Sequence, residues 1–477
     1  MKFKNPIKKE FIIILIGIII SFTIASKNLE KFDKIVNNSS GEPKHMMLTS
    51  DMRYVWKLAE KFRFHLSNGK SFFEALPIYD RAFLQPILVG YYYHIIDKKI
   101  IEKNDKGQII IKTQNSKLGI LIIQILIYYL SVYFFIIQFS KRFNQNKDYI
   151  NLILLSFLCF EPTILQWVSS FWSESLFLSM LLILFGSIIN PTKSKILKLL
   201  SGILLGLIYA LKAISFFYIF PIILFFLFFY KKKIFSTLIF ILGFILITSL
   251  IGFNHYQKTG TFYVMSSKHS YYSYYYYFAS KLYADRNDIS RIKAKNEIND
   301  LEIKWRNKNN VEIYSPINNE NKTADLMKNI QYRNKFFLNE VYENPLYFIK
   351  LYFKGIAAMS ILSPTMVYEG YEIDKSSPEA KNNPKEYFNK NLKRNIFYSL
   401  IIYCFVLIGF KDFVLRIFKG KKIDFYDKFL ILNILSILYF VSIAGLWGYP
   451  RYFTPCLINI SFFFANGFNN FLIKFKK

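Results

Sequence analysis

The chain has 477 residues, 53% hydrophobic and 19% aromatic, and its apolar residues come in long unbroken runs. A bilayer core takes about 20 mostly apolar residues per helix, so this composition excludes an ordinary soluble domain and points to an all-α polytopic membrane protein. The formal charge of +30 would suggest nucleic acid in a soluble chain. Here much of it lies in short connections between apolar runs, where it sets orientation, and no nucleic-acid partner is expected.

The first run, "FIIILIGIIISFTIAS" (11–26), follows Lys2, Lys4, Lys8 and Lys9. That is how a signal peptide begins, but no small-x-small cleavage site follows and further runs do, so the segment reads as a retained anchor. Ten spans are predicted in all, with a range of 10 to 13, at about 10–26, 118–139, 149–166, 173–190, 196–211, 213–230, 234–254, 395–415, 428–446 and 452–473. The basic connections "KRFNQNK" (141–147), "KSKILK" (193–198), "KKK" (231–233), "RIFKGKK" (416–422) and the tail "KFKK" then share the side of the N-terminus. The positive-inside rule makes that side cytoplasmic. Both ends of a single integral domain, 1–477, are thereby predicted inside a multi-pass protein of a bacterial inner or plasma membrane.

Two long loops fall outside, 27–117 and 255–394. Each holds a weaker apolar segment, 82–96 and 345–362, which reads as interfacial or re-entrant because counting just one as a span would invert every basic loop downstream. The second loop opens on "SKHSYYSYYYYFASKLY", with seven tyrosines, a composition suited to the membrane interface and equally to low complexity.

Cys159, Cys404 and Cys456 lie in or beside apolar runs with no CxxC, and the five histidines show no paired spacing. Neither a disulfide framework nor a zinc site is indicated, and no cofactor is expected, although the pattern leaves a divalent metal open.

With this orientation four ionisable residues reach the outer face. Asp51 opens "SDMRYVWKLAEKFRFHL", in which Val55, Leu58, Ala59, Phe62 and Leu66 recur at helical spacing and Arg53, Lys57, Glu60 and Lys61 face elsewhere. This predicts an interfacial helix over 51–66 lying on the membrane, with Asp51 as its N-cap. Glu174 begins a span after a short polar turn, where capping again explains it. Lys212 interrupts an apolar stretch and can snorkel to the interface. Arg451 sits in "GYPRYFTPCL" between two prolines, and its fixed fork of donors suits a phosphate. Taken together, two acids and two cations at one face, beneath a large outer loop, suggest chemistry on a phosphate-bearing substrate at the membrane surface.

These residues resemble the GT-C superfamily of polytopic glycosyltransferases, which includes protein O-mannosyltransferases and lipid A aminoarabinose transferases. Asp51, Tyr54, Ala59 and Gly69 match an acidic motif after the first span. Pro162, Ser173 and Glu174 match a proline followed by a "S/T-E" pair. Gly202, Gly206, Lys212 and Pro221 are similar to a "GxxxGLxxLTRxxxxxxxP" span, and Arg451, Tyr452 and Pro455 to an "RYxxPxxP" element. Met52 stands where many members carry a second acid, and Lys212 where arginine is usual.

The resemblance implies inverting transfer of a sugar from a polyprenyl-phosphate donor to an extracytoplasmic glycan, lipid or protein. It implies Asp51 as general base, Glu174 and Tyr54 as acceptor or positioning groups, and Arg451, Lys212 and Tyr452 around the donor phosphate, with membrane lipids as surroundings. The competing readings are an O-antigen polymerase or ligase, which has a similar layout of spans and loop, and a transporter. A transporter would place its charges near the midplane and show inverted repeats.

Overall fold

Inside a bilayer a backbone must satisfy its own hydrogen bonds, and the apolar runs of this chain all become helix. The computed structural model describes residues 6–37, 50–76, 84–96, 102–103, 109–110, 115–143, 148–170, 173–189, 194–229, 233–259, 262–264, 278–312, 323–362, 384–419, 423–445 and 453–475. Helices coincide with all ten predicted segments. They are α1 (Pro6–Asn37), α5 (Asn115–Phe143), α6 (Asp148–Phe160) with α7 (Pro162–Val168), α8 (Ser173–Ile189), α9 (Lys195–Leu211), a 3-10 turn (Ala213–Tyr218) running into α10 (Ile219–Phe229), α11 (Lys233–Thr259), α16 (Pro384–Phe418), α17 (Phe425–Ala444) and α18 (Thr454–Phe475). By length and composition five of these helices can cross a membrane, or six if the bent α6–α7 pair is one crossing. The chain is thus a helical membrane protein.

The first predicted loop contains α2 (Ser50–Ser67), α3 (Phe72–Ala75), α4 (Leu84–Ile96) and a hairpin pairing β1 (Glu102–Lys103) with β2 (Ile109–Ile110). The second contains α12 (Ser280–Arg286), α13 (Arg291–Lys308), α14 (Thr323–Glu343) and α15 (Pro345–Ser360). Its helices are joined by ion pairs. Arg286 pairs with Glu343 and, at 2.7 Å, with Glu340, while Arg333 meets the fully buried Glu302 at 2.6 Å, and Trp305 stacks on Tyr332. Burial holds the Glu340 carboxyl above its ordinary range, and Arg286 opposes that shift. Within the segment 345–362 the helix Pro345–Ser360 has 16 residues, shorter than a span needs. Its Tyr352 donates to the Ser442 carbonyl of α17, and its Ser360 carbonyl accepts from Tyr403 of α16.

The bundle has two chemically different ends. At one, Phe143 and Phe225 gather on Phe425, the Arg142 guanidinium lies 4.3 Å from the Phe425 ring centre, and Arg416 pairs with Asp427. At the opposite end the residues around Lys212 meet the start of α8, and Tyr218 hydrogen-bonds Ser436 at 2.6 Å.

The predicted surface helix does form, but its apolar face is not simply laid on lipid. Ala59 and Phe62 are buried, α2 packs against α4, and Phe62 clusters with Ala75, Leu76 and Ile87. The physical reason is that 84–96 folds as a second apolar helix within reach, and protein side chains cover Ala59 and Phe62 while Leu58 and Leu66 stay half-buried. The glycine of the acidic motif has a local role too. Gly69, at φ +79°, reverses the chain after α2, where Lys70 N–H bonds the His65 carbonyl, a left-handed helix stop that other residues adopt at a cost.

The GxxxG spacing on α9 is likewise explained by packing. A Cβ on Gly202 would overlap the Phe240 carbonyl of α11, and one on Gly206 would meet Ile247 at 2.6 Å. Small residues let two backbones touch. Gly202→Ala should therefore lower stability by about 1–3 kcal/mol through forced separation of α9 and α11. Thermal unfolding in detergent measures this, and an unchanged midpoint would mean that the helices do not touch there.

Candidate functional site

Lys212 ends α9. Its N–H still bonds the Ile208 carbonyl at 2.9 Å, but its φ of −144° and ψ of 113° take the backbone out of the helix before the 3-10 turn begins. Ser215 secures this exit, with its hydroxyl donating to the Lys212 carbonyl at 2.7 Å. The break aims the lysine inward, and only 9% of the residue is exposed.

It meets Glu174, in the first turn of α8 and 2% exposed. Lys212 Nζ donates to Glu174 Oε1 at 2.6 Å, and Ser173 Oγ donates to Glu174 Oε2 at 3.4 Å. Lys212 Nζ also lies 5.3 Å from the ring centre of Phe177, one turn further along α8, close enough for a cation–π attraction. Snorkelling and capping, the ordinary explanations for these two residues, thus give way to a desolvated ion pair between elements 38 residues apart.

Of the six residues singled out in the sequence, this structure brings two together, Glu174 and Lys212. Asp51 and Tyr54 lie in α2, Asp51 as its second residue, so the helix boundary makes it a first-turn acid instead of the N-cap; their side chains lie outside the described residues. Arg451 and Tyr452 lie outside the described residues altogether, immediately before the buried Phe453 and Thr454.

Sequence reasoning passed over a second carboxylate. Glu161 precedes Pro162 at the α6–α7 junction, where the path bends by 52°. Proline has no N–H to give the carbonyl four residues back, here Leu158, and that carbonyl instead accepts from the Tyr128 hydroxyl at 2.8 Å. Glu161 caps the new helix, accepting from Ile164 N–H at 2.7 Å, and takes a 3.0 Å hydrogen bond from Tyr398 of α16. The "EP" dipeptide in an apolar run was the available signal, because an acid there needs a partner. Beyond α7, Gln124 of α5 donates to the Ser170 carbonyl at 2.8 Å and anchors the turn that leads to Glu174.

Among the described residues no three His, Cys, Asp or Glu side chains converge as metal ligands would. Comparison of the chain with protein-family models, curated proteins and solved structures returned no match. The functional reading therefore rests on the residues and on the resemblance of their motifs.

Proposed function

We propose that this protein is a GT-C-type membrane glycosyltransferase, a multi-pass protein of about ten spans that moves a sugar from a polyprenyl-phosphate donor to an extracytoplasmic acceptor. The observation that carries the reading is the buried Glu174–Lys212 pair. A basic side chain in an apolar surround is suited to a lipid-linked phosphate at membrane height. Glu174 accepts from Lys212 Nζ at 2.6 Å and so orients the ammonium.

In the proposed reaction Asp51 takes the proton of an acceptor hydroxyl, the oxygen bonds to the anomeric carbon from the far side, and the carbon–phosphate oxygen bond breaks with inversion. The leaving polyprenyl phosphate gains one negative charge. Lys212 is already largely balanced by Glu174, so Arg451 supplies most of the net stabilisation of that charge, while Tyr54 and Tyr452 flank acceptor and phosphate.

The test is transfer by the purified full chain in lipid. A polyprenyl-phosphate monosaccharide should serve as donor and a diphosphate-linked oligosaccharide should not; the reverse preference would assign a polymerase or ligase, and solute uptake without transfer a transporter. Arg451→Ala should raise the donor KM by about tenfold or more with little change in acceptor KM, since a charge-assisted contact to phosphate is worth about 1.5–3 kcal/mol. Equal effects on both substrates would make Arg451 structural.

A further inference from the structure

The hairpin that carries Glu174 holds polar side chains with nothing to bond. Gln166 on α7 is 1% exposed, and both its amide nitrogen and its amide oxygen lack a hydrogen-bond partner. Ser169, which ends α7, and Ser175, next to Glu174, are fully buried and their hydroxyls are equally unpartnered. Ser170, Ser179, Ser187 and Ser201, by contrast, donate to the carbonyl four residues earlier, whereas the buried Ser236 on α11 is also unpartnered. Four orphaned polar atoms on the three residues Gln166, Ser169 and Ser175 contrast with the near-complete pairing of buried polar groups in folded proteins.

We infer that Gln166, Ser169 and Ser175 line the subsite for the sugar ring of the donor, an inference that rests on the glycosyltransferase reading and specifies its substrate end. The chemistry of the orphans selects the ligand class. An amide offers two donors and an acceptor oxygen, and each serine offers a donor and an acceptor. A phosphate oxygen only accepts and would leave the Gln166 carbonyl unmatched, while a prenyl chain would match none of the four atoms. Neighbouring hydroxyls on a sugar ring both donate and accept, and so satisfy amide and hydroxyls together.

The position agrees. α7 packs against α8, Gln124 ties the turn between them, and Glu174 holds Lys212 one residue before Ser175. A lipid-linked sugar whose phosphate lies at Lys212 has its ring within this hairpin's reach.

The experiment measures binding of the full chain in nanodiscs to undecaprenyl phosphate and to its glucosyl, galactosyl, mannosyl and arabinosyl derivatives. Wild type should bind at least one sugar-bearing lipid more tightly than the bare lipid. Gln166→Leu and Ser175→Ala should each weaken that lipid by about tenfold, the scale of one buried hydrogen bond left unmade, with affinity for the bare lipid unchanged. Gln166→Leu removes an unpaired amide from an apolar site, so its unfolding temperature should be no lower than that of wild type, which separates lost binding from lost fold.

A wild-type preference for a sugar lipid that both variants retain overturns the subsite and leaves the glycosyltransferase reading standing. A wild type that binds none of the sugar lipids more tightly than the bare lipid overturns the glycosyltransferase reading and the sugar assignment together.

Discussion

Lys212→Met is expected to destabilise the protein by about 3–5 kcal/mol, because it leaves the Glu174 carboxyl, 2% exposed, without its ammonium partner. Methionine keeps the length and apolar stem of the lysine, so the loss reports the charge and not a cavity. The double variant Glu174→Gln with Lys212→Met should recover most of the deficit. Swapping a buried ion pair for neutral groups of similar size is often close to neutral, whereas breaking one side of it is not. Unfolding midpoints of the four proteins in detergent complete the cycle. Additive losses would mean that the two side chains do not interact and would remove the pair from the site. Lys212→Arg tests a different property, since it keeps charge but exchanges a compact ammonium for a planar fork.

Asp51→Asn is expected to lower turnover by about 100-fold to 10,000-fold with expression and folding retained. Asparagine is chosen because it keeps the shape of the side chain and much of its capacity to accept from helix N–H groups, while it cannot take a proton. The same change as a first-turn acid costs helix stability only about 0.3–1 kcal/mol through the dipole. A structural role for Asp51 therefore predicts a small stability change and near-normal transfer, and a catalytic role the opposite. Near-normal transfer would leave the reaction without its base. Met52 makes the result sharper, since no second acid adjoins Asp51 to take over.

How much of this was legible differs from residue to residue. The helices were legible because runs of about twenty apolar residues admit few other structures in lipid, and the positive charge of the short connections was legible because it is a local property. The break at Pro162 was also written locally, although the carboxylate it positions was missed. Gly202 and Gly206 stood out as a motif, yet their role became clear only against Phe240 and Ile247 of α11. The apolar stripe of α2 was correctly periodic, but that Ala59 and Phe62 are covered by protein could not be read from it, because periodicity says that a face is covered and not what covers it.

By itself, then, the sequence determined that this is a helical membrane protein, where its apolar helices run and which connections carry positive charge. Each of these follows from hydropathy and charge read within one segment. Only the tertiary structure decided that Lys212 faces Glu174, that Glu161 faces Tyr398 and that α2 lies on α4. Those partners are set by how helices cross, through close approach at small residues and the high cost of an unpaired charge in an apolar interior, and such terms couple positions from 38 to 237 residues apart.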